Sequence, residues 1–131
     1  MRKKVVIIGF GSIGKRHATI LKKIKKIKKI YILSKQKNIP FEKISYLEQI
    51  KKINPDYIVI SSPTFRHVME LFYCERNFMN KIILVEKPIF EKIYKKNFCK
   101  NKIYVGYNLR FHPVIKYLKR KLSNKKIWSA Q

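Results

Sequence analysis

Val5-Val6-Ile7-Ile8-Gly9-Phe10-Gly11-Ser12-Ile13-Gly14 decides the fold of this chain. Val5 to Ile8 is a short, unbroken apolar run, the mark of a strand buried on both faces of a parallel sheet. The next six residues spell G-x-G-x-x-G. Beyond them Ile13, His17, Ile20, Leu21 and Ile24 recur at helical spacing, which predicts a helix laying that stripe on the sheet. Ile30 to Leu33 reads as a second buried strand. Strand, glycine turn, helix and strand make a β-α-β unit of about 30 residues, the context in which this hexapeptide holds a dinucleotide. Each glycine has a physical task. Gly9 permits the tight turn, Gly11 lets the backbone approach a pyrophosphate, and Gly14 lets helix and strand pack closely. The unpaired N–H groups and the positive end of the helix then receive the phosphates. Phe10, Ser12 and Ile13, interleaved with these glycines, complete the expected cofactor contacts.

The alternation continues to the right. Leu47, Ile50 and Ile53 predict a short helix ended by Asn54-Pro55. Tyr57 to Ile60 reads as a strand closed by Ser61-Ser62-Pro63, and Thr64 is placed to cap a helix from about Phe65 to Asn77. Ile82 to Val85 is a strand stopped by Glu86-Lys87-Pro88. A helical stretch over Ile89 to Phe98 is expected to lead to a last strand, Ile103 to Tyr107. Such alternation means an α/β fold with a doubly wound parallel sheet. Residues 1–113 are assigned to this domain. Val114, Ile115, Leu118 and Leu122 predict one more amphipathic helix, and Lys126 to Ala130 the opening of a further strand. Residues 114–131 are thus read as a linking helix and the start of a second α/β domain.

Composition narrows the setting. The chain has 131 residues and a formal charge of +25, from 32 Lys+Arg against 7 Asp+Glu. A nucleic-acid or anionic-membrane partner would need those cations clustered. They are spread along the whole chain among Ile, Asn, Tyr and Phe, so no specific nucleic acid is expected. The opening apolar run is too short for a membrane span of about 20 residues and lacks a cleavage site, so a cytoplasmic protein is expected. Cys74 and Cys99 match no metal spacing and read as small core residues in a reducing compartment. His17, His67 and His112 share no metal-ligand spacing either, so no metal is expected.

The end of the second strand bears on cofactor choice. A carboxylate about 20 residues past the glycines would bind the ribose 2′-hydroxyl of NAD, whereas a cation there accommodates the 2′-phosphate of NADP. Ser34-Lys35-Gln36-Lys37 has no acid. Ser34 and Lys35 therefore favour NADP over NAD.

Three more segments fall where strands end, on the ligand side of such a sheet: Ser61-Ser62-Pro63-Thr64 with His67, Glu86-Lys87-Pro88, and Gly106-Tyr107-Asn108-Leu109-Arg110-Phe111-His112-Pro113. Together with the glycine turn and Arg16-His17 they resemble the Gfo/Idh/MocA family of NAD(P)-dependent oxidoreductases, in that family's order and spacing from Val5 to about Pro113. The resemblance implies a Rossmann-type N-terminal domain followed by a larger α/β domain. It also implies hydride transfer between the nicotinamide and a hydroxyl or carbonyl of a sugar or sugar derivative. Lys87 matches the family's general acid/base. Like-charge repulsion and burial beside a cationic nicotinamide favour the neutral amine such a base requires. Glu86 matches a residue near the nicotinamide ribose, and Asn108 and Arg110 match the lining of the nicotinamide and substrate side. Ser61, Ser62, Pro63, Thr64 and His67 would lie beneath the cofactor.

The chain departs from the family at its C-terminal end, where the substrate domain is not found. Lys87 would then face water, with nothing to orient an alcohol or shield the hydride step. The expectation is a fragment that binds cofactor and turns over little alone, any homo-oligomer requiring the missing domain. A non-catalytic cofactor-binding module or remnant is the competing reading. A basic nucleic-acid-binding protein is the third, distinguishable by a steep loss of affinity with salt.

Overall fold

A computed structural model describes residues 2–95 and 97–123. Its strands are β1 (Lys3–Ile8), β2 (Ile27–Leu33), β3 (Glu42–Ile44), β4 (Tyr57–Ile60), β5 (Ile82–Val85) and β6 (Lys102–Val105). They form one sheet in the order β3-β2-β1-β4-β5-β6, and every pairing is parallel. Helices α1 (Ser12–Lys22), α2 (Gln49–Ile53), α3 (Thr64–Asn77) and α4 (Pro113–Leu122) accompany it. From β1 the order runs outward through β2 and β3 on one side and β4, β5 and β6 on the other. That reversal opens a crevice above the C-terminal ends of β1 and β4, the place where doubly wound sheets bind ligands.

The unbroken apolar run of β1 has a direct cause. Val6 and Ile8 enter one core with Ile58, Ile60, Leu71 and Ile83, while Val5 and Ile7 enter a second with Ala18, Ile30 and Ile32. Alternate side chains serve opposite faces, so no position on β1 is free to be polar.

Four expectations are corrected. The apolar stripe of α1 packs on the sheet only in part: Leu21 lies against the core, whereas Ile13, Ile20 and, just past the helix, Ile24 are exposed, and the fully buried positions are Gly14 and Ala18. Small residues let α1 lie close to β1, which turns the larger ones outward. Thr64 is not a cap; Pro63 holds the N-cap position of α3 and makes no side-chain capping bond. The described residues of the 89–98 stretch form no helix. Phe90, Tyr94 and Phe98 stand at helical spacing, but they pack as aromatics: Phe98 stacks on Phe72 of α3 at 5.4 Å and Phe90 meets Tyr94 at 5.1 Å. The buried Glu75 carboxylate then accepts the backbone N–H groups of Cys99 and Lys100 at 2.8 and 2.6 Å, a tertiary contact in place of helical ones. Cys99 is exposed, whereas Cys74 lies in the core as expected.

The short edge strand β3 is an addition that the sequence did not announce. Helix α4 is present, N-capped by the His112 ring, which accepts from Val114 N at 3.3 Å. Residues 126–130 lie outside the described residues. No described helix is long and apolar enough to cross a membrane.

Candidate cofactor and active site

The glycine turn is built as tightly as its sequence requires. Gly9 has φ +92°, and a Cβ there would lie 2.6 Å from Ser62 N. A Cβ on Gly14 would lie 2.2 Å from the Gly9 carbonyl oxygen, so α1 can approach β1 only over a bare Cα. Gly11 is different. Nothing stands within 4 Å of its would-be Cβ, so its absence leaves open space above the N-terminus of α1. The Ser61 hydroxyl supports the turn from below, donating to the Ile8 and Gly9 carbonyls at 3.2 and 3.0 Å. Helix α1 has no side-chain cap and no acid in its first turn. Its leading N–H groups are therefore available to an anion.

A cleft of about 560 Å³ opens over this turn. Gly9 to Ile13 form its floor, Ser34 and Lys35 one wall, and Ser61 to Pro63 the other, with Gln36, Ser45 and Arg66 at its margins. Gln36 fixes the turn from the side, donating from Nε2 to the Phe10 carbonyl at 3.1 Å. Thr64 does not line this cleft. Nor does His67, whose ring is 1% exposed and contacts the Ser62 and Pro88 carbonyls. Beneath the Ser61–Pro63 wall Glu70 is fully buried, accepts the Ser62 hydroxyl and pairs with Arg66 Nε at 3.0 Å. Burial holds the Glu70 carboxyl above the usual range, although Ser62, Arg66 and His67 all pull it down.

A second cleft of about 530 Å³ lies on the other side of the α1 N-terminus. Glu86, Lys87, Asn108 and Arg110 line it, facing Arg16 and His17 of α1. His17 Nε2 stands 2.7 Å from Glu86 Oε1. Gly106 makes room for that carboxylate, since a Cβ there would meet it at 3.0 Å. Lys87 is exposed rather than buried. Leu84 and Tyr104, paired across β5 and β6, form part of the cleft wall. Ile13 lines both clefts, so they meet at the first turn of α1.

The fold thus gathers Gly9 to Ile13, Ser34, Lys35, Ser61, Ser62 and Pro63 around one cleft and Glu86, Lys87, Asn108 and Arg110 around its neighbour, while Gly14 is buried beneath the turn and lines neither. Sequence reasoning missed Gln36, Ser45, Arg66 and the His17–Glu86 contact as site features. Arg66 stands in the first turn of α3, three residues past Pro63, and that position was its only signal. His17 was read as part of an apolar stripe, although the Arg16-His17 pair belonged to the resemblance. Among the described residues no three His, Cys, Asp or Glu side chains gather as metal ligands.

Comparison with known proteins bears on the fold. No family model and no curated protein sequence matches the chain. Solved structures do. Scyllo-inositol dehydrogenase from Lactobacillus casei, crystallised with NAD(H) and scyllo-inositol, superposes with a TM-score of 0.76 at 23% identity, over 98% of this chain and 43% of that one. Myo-inositol 2-dehydrogenase from Lactobacillus plantarum gives 0.78 at 23% identity, over 95% and 42%. The WlbA dehydrogenase from Bordetella pertussis, in complex with NADH and UDP-GlcNAcA, gives 0.77 at 15% identity, over 94% and 42%. The chain therefore shares the fold of one part of these dehydrogenases and spans about two fifths of their length.

Proposed function

From this shared dinucleotide-binding fold we infer that the chain is the cofactor-binding domain of a Gfo/Idh/MocA-type oxidoreductase. It would hold NADP in preference to NAD, and the complete enzyme would act on a hydroxyl or carbonyl of a sugar or sugar derivative. One observation carries the reading: an uncapped helix N-terminus, with open space over Gly11, stands at the point where the sheet order reverses. The donors suit a dinucleotide. The N–H groups of Ser12 and Ile13 would hold the pyrophosphate, and Lys35 and Ser34 a 2′-phosphate, with Arg66 adding positive charge to the same cleft. Because the second cleft joins the first at Ile13, a cofactor laid along the turn would reach Lys87, Asn108 and Arg110.

The bound nicotinamide would supply the hydride acceptor or donor. The chain's own residues would manage the proton and the geometry. Lys87 Nζ would take the hydroxyl proton of an alcohol, or return it to a forming alkoxide. Asn108 and Arg110 would orient the polar groups of the reactants. Glu86 would stay fixed by His17 and Gly106. As Lys87 is exposed here, the step needs a cover over the second cleft to exclude water. On this reading the cover would be a larger substrate domain of the complete enzyme. The excess of 32 Lys and Arg over 7 acids is better read as a spread surface property than as a nucleic-acid footprint.

Titration of the full chain with NADPH and NADH, read by nicotinamide fluorescence, tests the proposal. Saturable binding, tighter for NADPH, is expected. No saturation with either cofactor would overturn it.

A further inference from the structure

His67 is the most deeply enclosed titratable ring of the chain, and it touches two turns that belong to different clefts. Its Nε2 lies 2.8 Å from the Ser62 carbonyl oxygen and its Nδ1 lies 3.0 Å from the Pro88 carbonyl oxygen. Carbonyl oxygens only accept. A neutral imidazole has one N–H and one lone pair, so it can satisfy one of these partners but not both. The other nitrogen would set its lone pair against a carbonyl lone pair, with the ring only 1% exposed. Both bonds form together only when both nitrogens carry protons.

The surroundings supply the counter-charge. Glu70, one helical turn along α3, is fully buried and accepts the Ser62 hydroxyl. Ser62 is thus held twice, by its carbonyl on His67 and by its hydroxyl on Glu70. Arg66, also on α3, pairs with the same carboxylate at 3.0 Å. From the β4 exit the group against the ring is Ser62, and from the β5 exit it is Pro88, with Glu86 and Lys87 preceding it in the chain. The acid available to a charged ring is thus Glu70, and the Arg66 cation is already paired with that carboxylate.

We propose that His67 is a positioning residue, a doubly protonated strap that ties the wall of the cofactor cleft at Ser62 to the turn carrying Lys87. The proposal rests on the functional reading above, because that reading gives the two turns their roles. Its physical content is separate: one ring couples two loops, and the loss of one proton uncouples them. Cofactor affinity then falls as pH rises, because the Ser61–Pro63 wall and the Lys87 turn no longer hold each other in place.

Two measurements on the full chain test this. The first is ¹⁵N-edited NMR of histidine-labelled protein near neutral pH. It is expected to show two exchange-protected ring N–H signals from one histidine, both missing in His67→Gln. A neutral tautomer at His67 would overturn the proposal, and this result needs no variant that folds. The second is the dissociation constant for NADPH from about pH 6 to 9 in wild type and His67→Gln, taken as a ratio so that titration of the cofactor cancels. A glutamine amide cannot bridge both carbonyls in the ring's place. The variant is expected to bind about tenfold more weakly at the acid end and to converge on wild type at the alkaline end. A ratio that stays constant across the range would mean that His67 only supports the fold, and would overturn the strap. If neither protein binds NADPH at any pH, the cofactor reading fails, while the ring N–H signals still decide whether the strap exists.

Discussion

The three glycines of the turn should respond to substitution in two opposite ways. A Cβ at Gly14 would lie 2.2 Å from the Gly9 carbonyl oxygen and 2.9 Å from Ser61 Oγ. Relief requires α1 to move off β1 by about 1 Å, and the obstruction is backbone, which cannot rotate away. Overpacking of this kind costs about 1–3 kcal/mol, so Gly14→Ala is expected near or above 3 kcal/mol. Gly9→Ala adds a left-handed φ of +92° to its own 2.6 Å clash and should be at least as severe. Gly11 has φ −71° and ψ −167°, extended backbone that any residue adopts, with nothing within 4 Å of the new side chain. Gly11→Val should therefore cost no more than about 1 kcal/mol, the loss of a favoured N-cap residue. Its branched side chain would nevertheless fill the space over the leading N–H groups of α1. Losing two hydrogen bonds to a charged phosphate, at about 1.5–3 kcal/mol each, weakens binding by about a hundredfold or more. Urea unfolding followed by circular dichroism measures the first quantity and NADPH titration the second. A Gly11→Val protein that binds as wild type, or a Gly14→Ala protein as stable as wild type, would refute the geometry.

Other perturbations have definite signs. The Asp56 carboxyl is held below its ordinary range by hydrogen bonds from the Lys3 ammonium and the Lys4 N–H, both at 2.9 Å. A depressed carboxyl contributes stability above its unfolded value, about 3.9, and loses it as pH falls through the folded value. Asp56→Asn should thus cost about 1 kcal/mol at pH 7, allowing for partial solvent screening, and the gap should narrow as pH falls below the unfolded value of about 3.9. Burial, with the nearby Glu70 and Glu75 charges, pushes the Cys74 thiol up to about 12. A thiol-reactive dye at pH 8 should therefore label one cysteine per folded chain, Cys99, and reach Cys74 only on unfolding; two equally fast thiols would contradict this. Lys35→Ala should weaken NADPH binding roughly tenfold and leave NADH binding nearly unchanged; equal losses for both would remove Lys35 from the 2′-phosphate.

How much of this was legible in the sequence depended on how local each cause was. Tyr57–Ile60 and Ile82–Val85 form strands at the limits read from their apolar runs, because those runs are cut on both sides by Pro, Ser or charged residues. The glycine turn was legible because its spacing encodes a steric requirement that the structure shows as 2.2 and 2.6 Å approaches. Where a distant partner decides, the reading failed. The 89–98 stretch carries helical spacing, but Glu75 and Phe72 on α3 claim its end and its aromatics. The stripe on α1 was assigned to the core by periodicity alone, yet Gly14 and Ala18 set the packing face and leave Ile13 and Ile20 on the open clefts. His67 showed the same limit. Its spacing from Pro63 marked it as special, but only the fold reveals that two carbonyls from separate turns meet its ring.

The central claim is that a dinucleotide's phosphates rest on the leading amides of α1. Amide NMR spectra of the ¹⁵N-labelled chain, recorded as NADPH is added, test it most directly. Shifts centred on Gly11, Ser12 and Ile13, with smaller ones at Ser34, Lys35 and Ser62, are expected, and Gly11→Val should abolish them. Shifts confined to α4, or scattered over the exposed lysines without saturating, would contradict it.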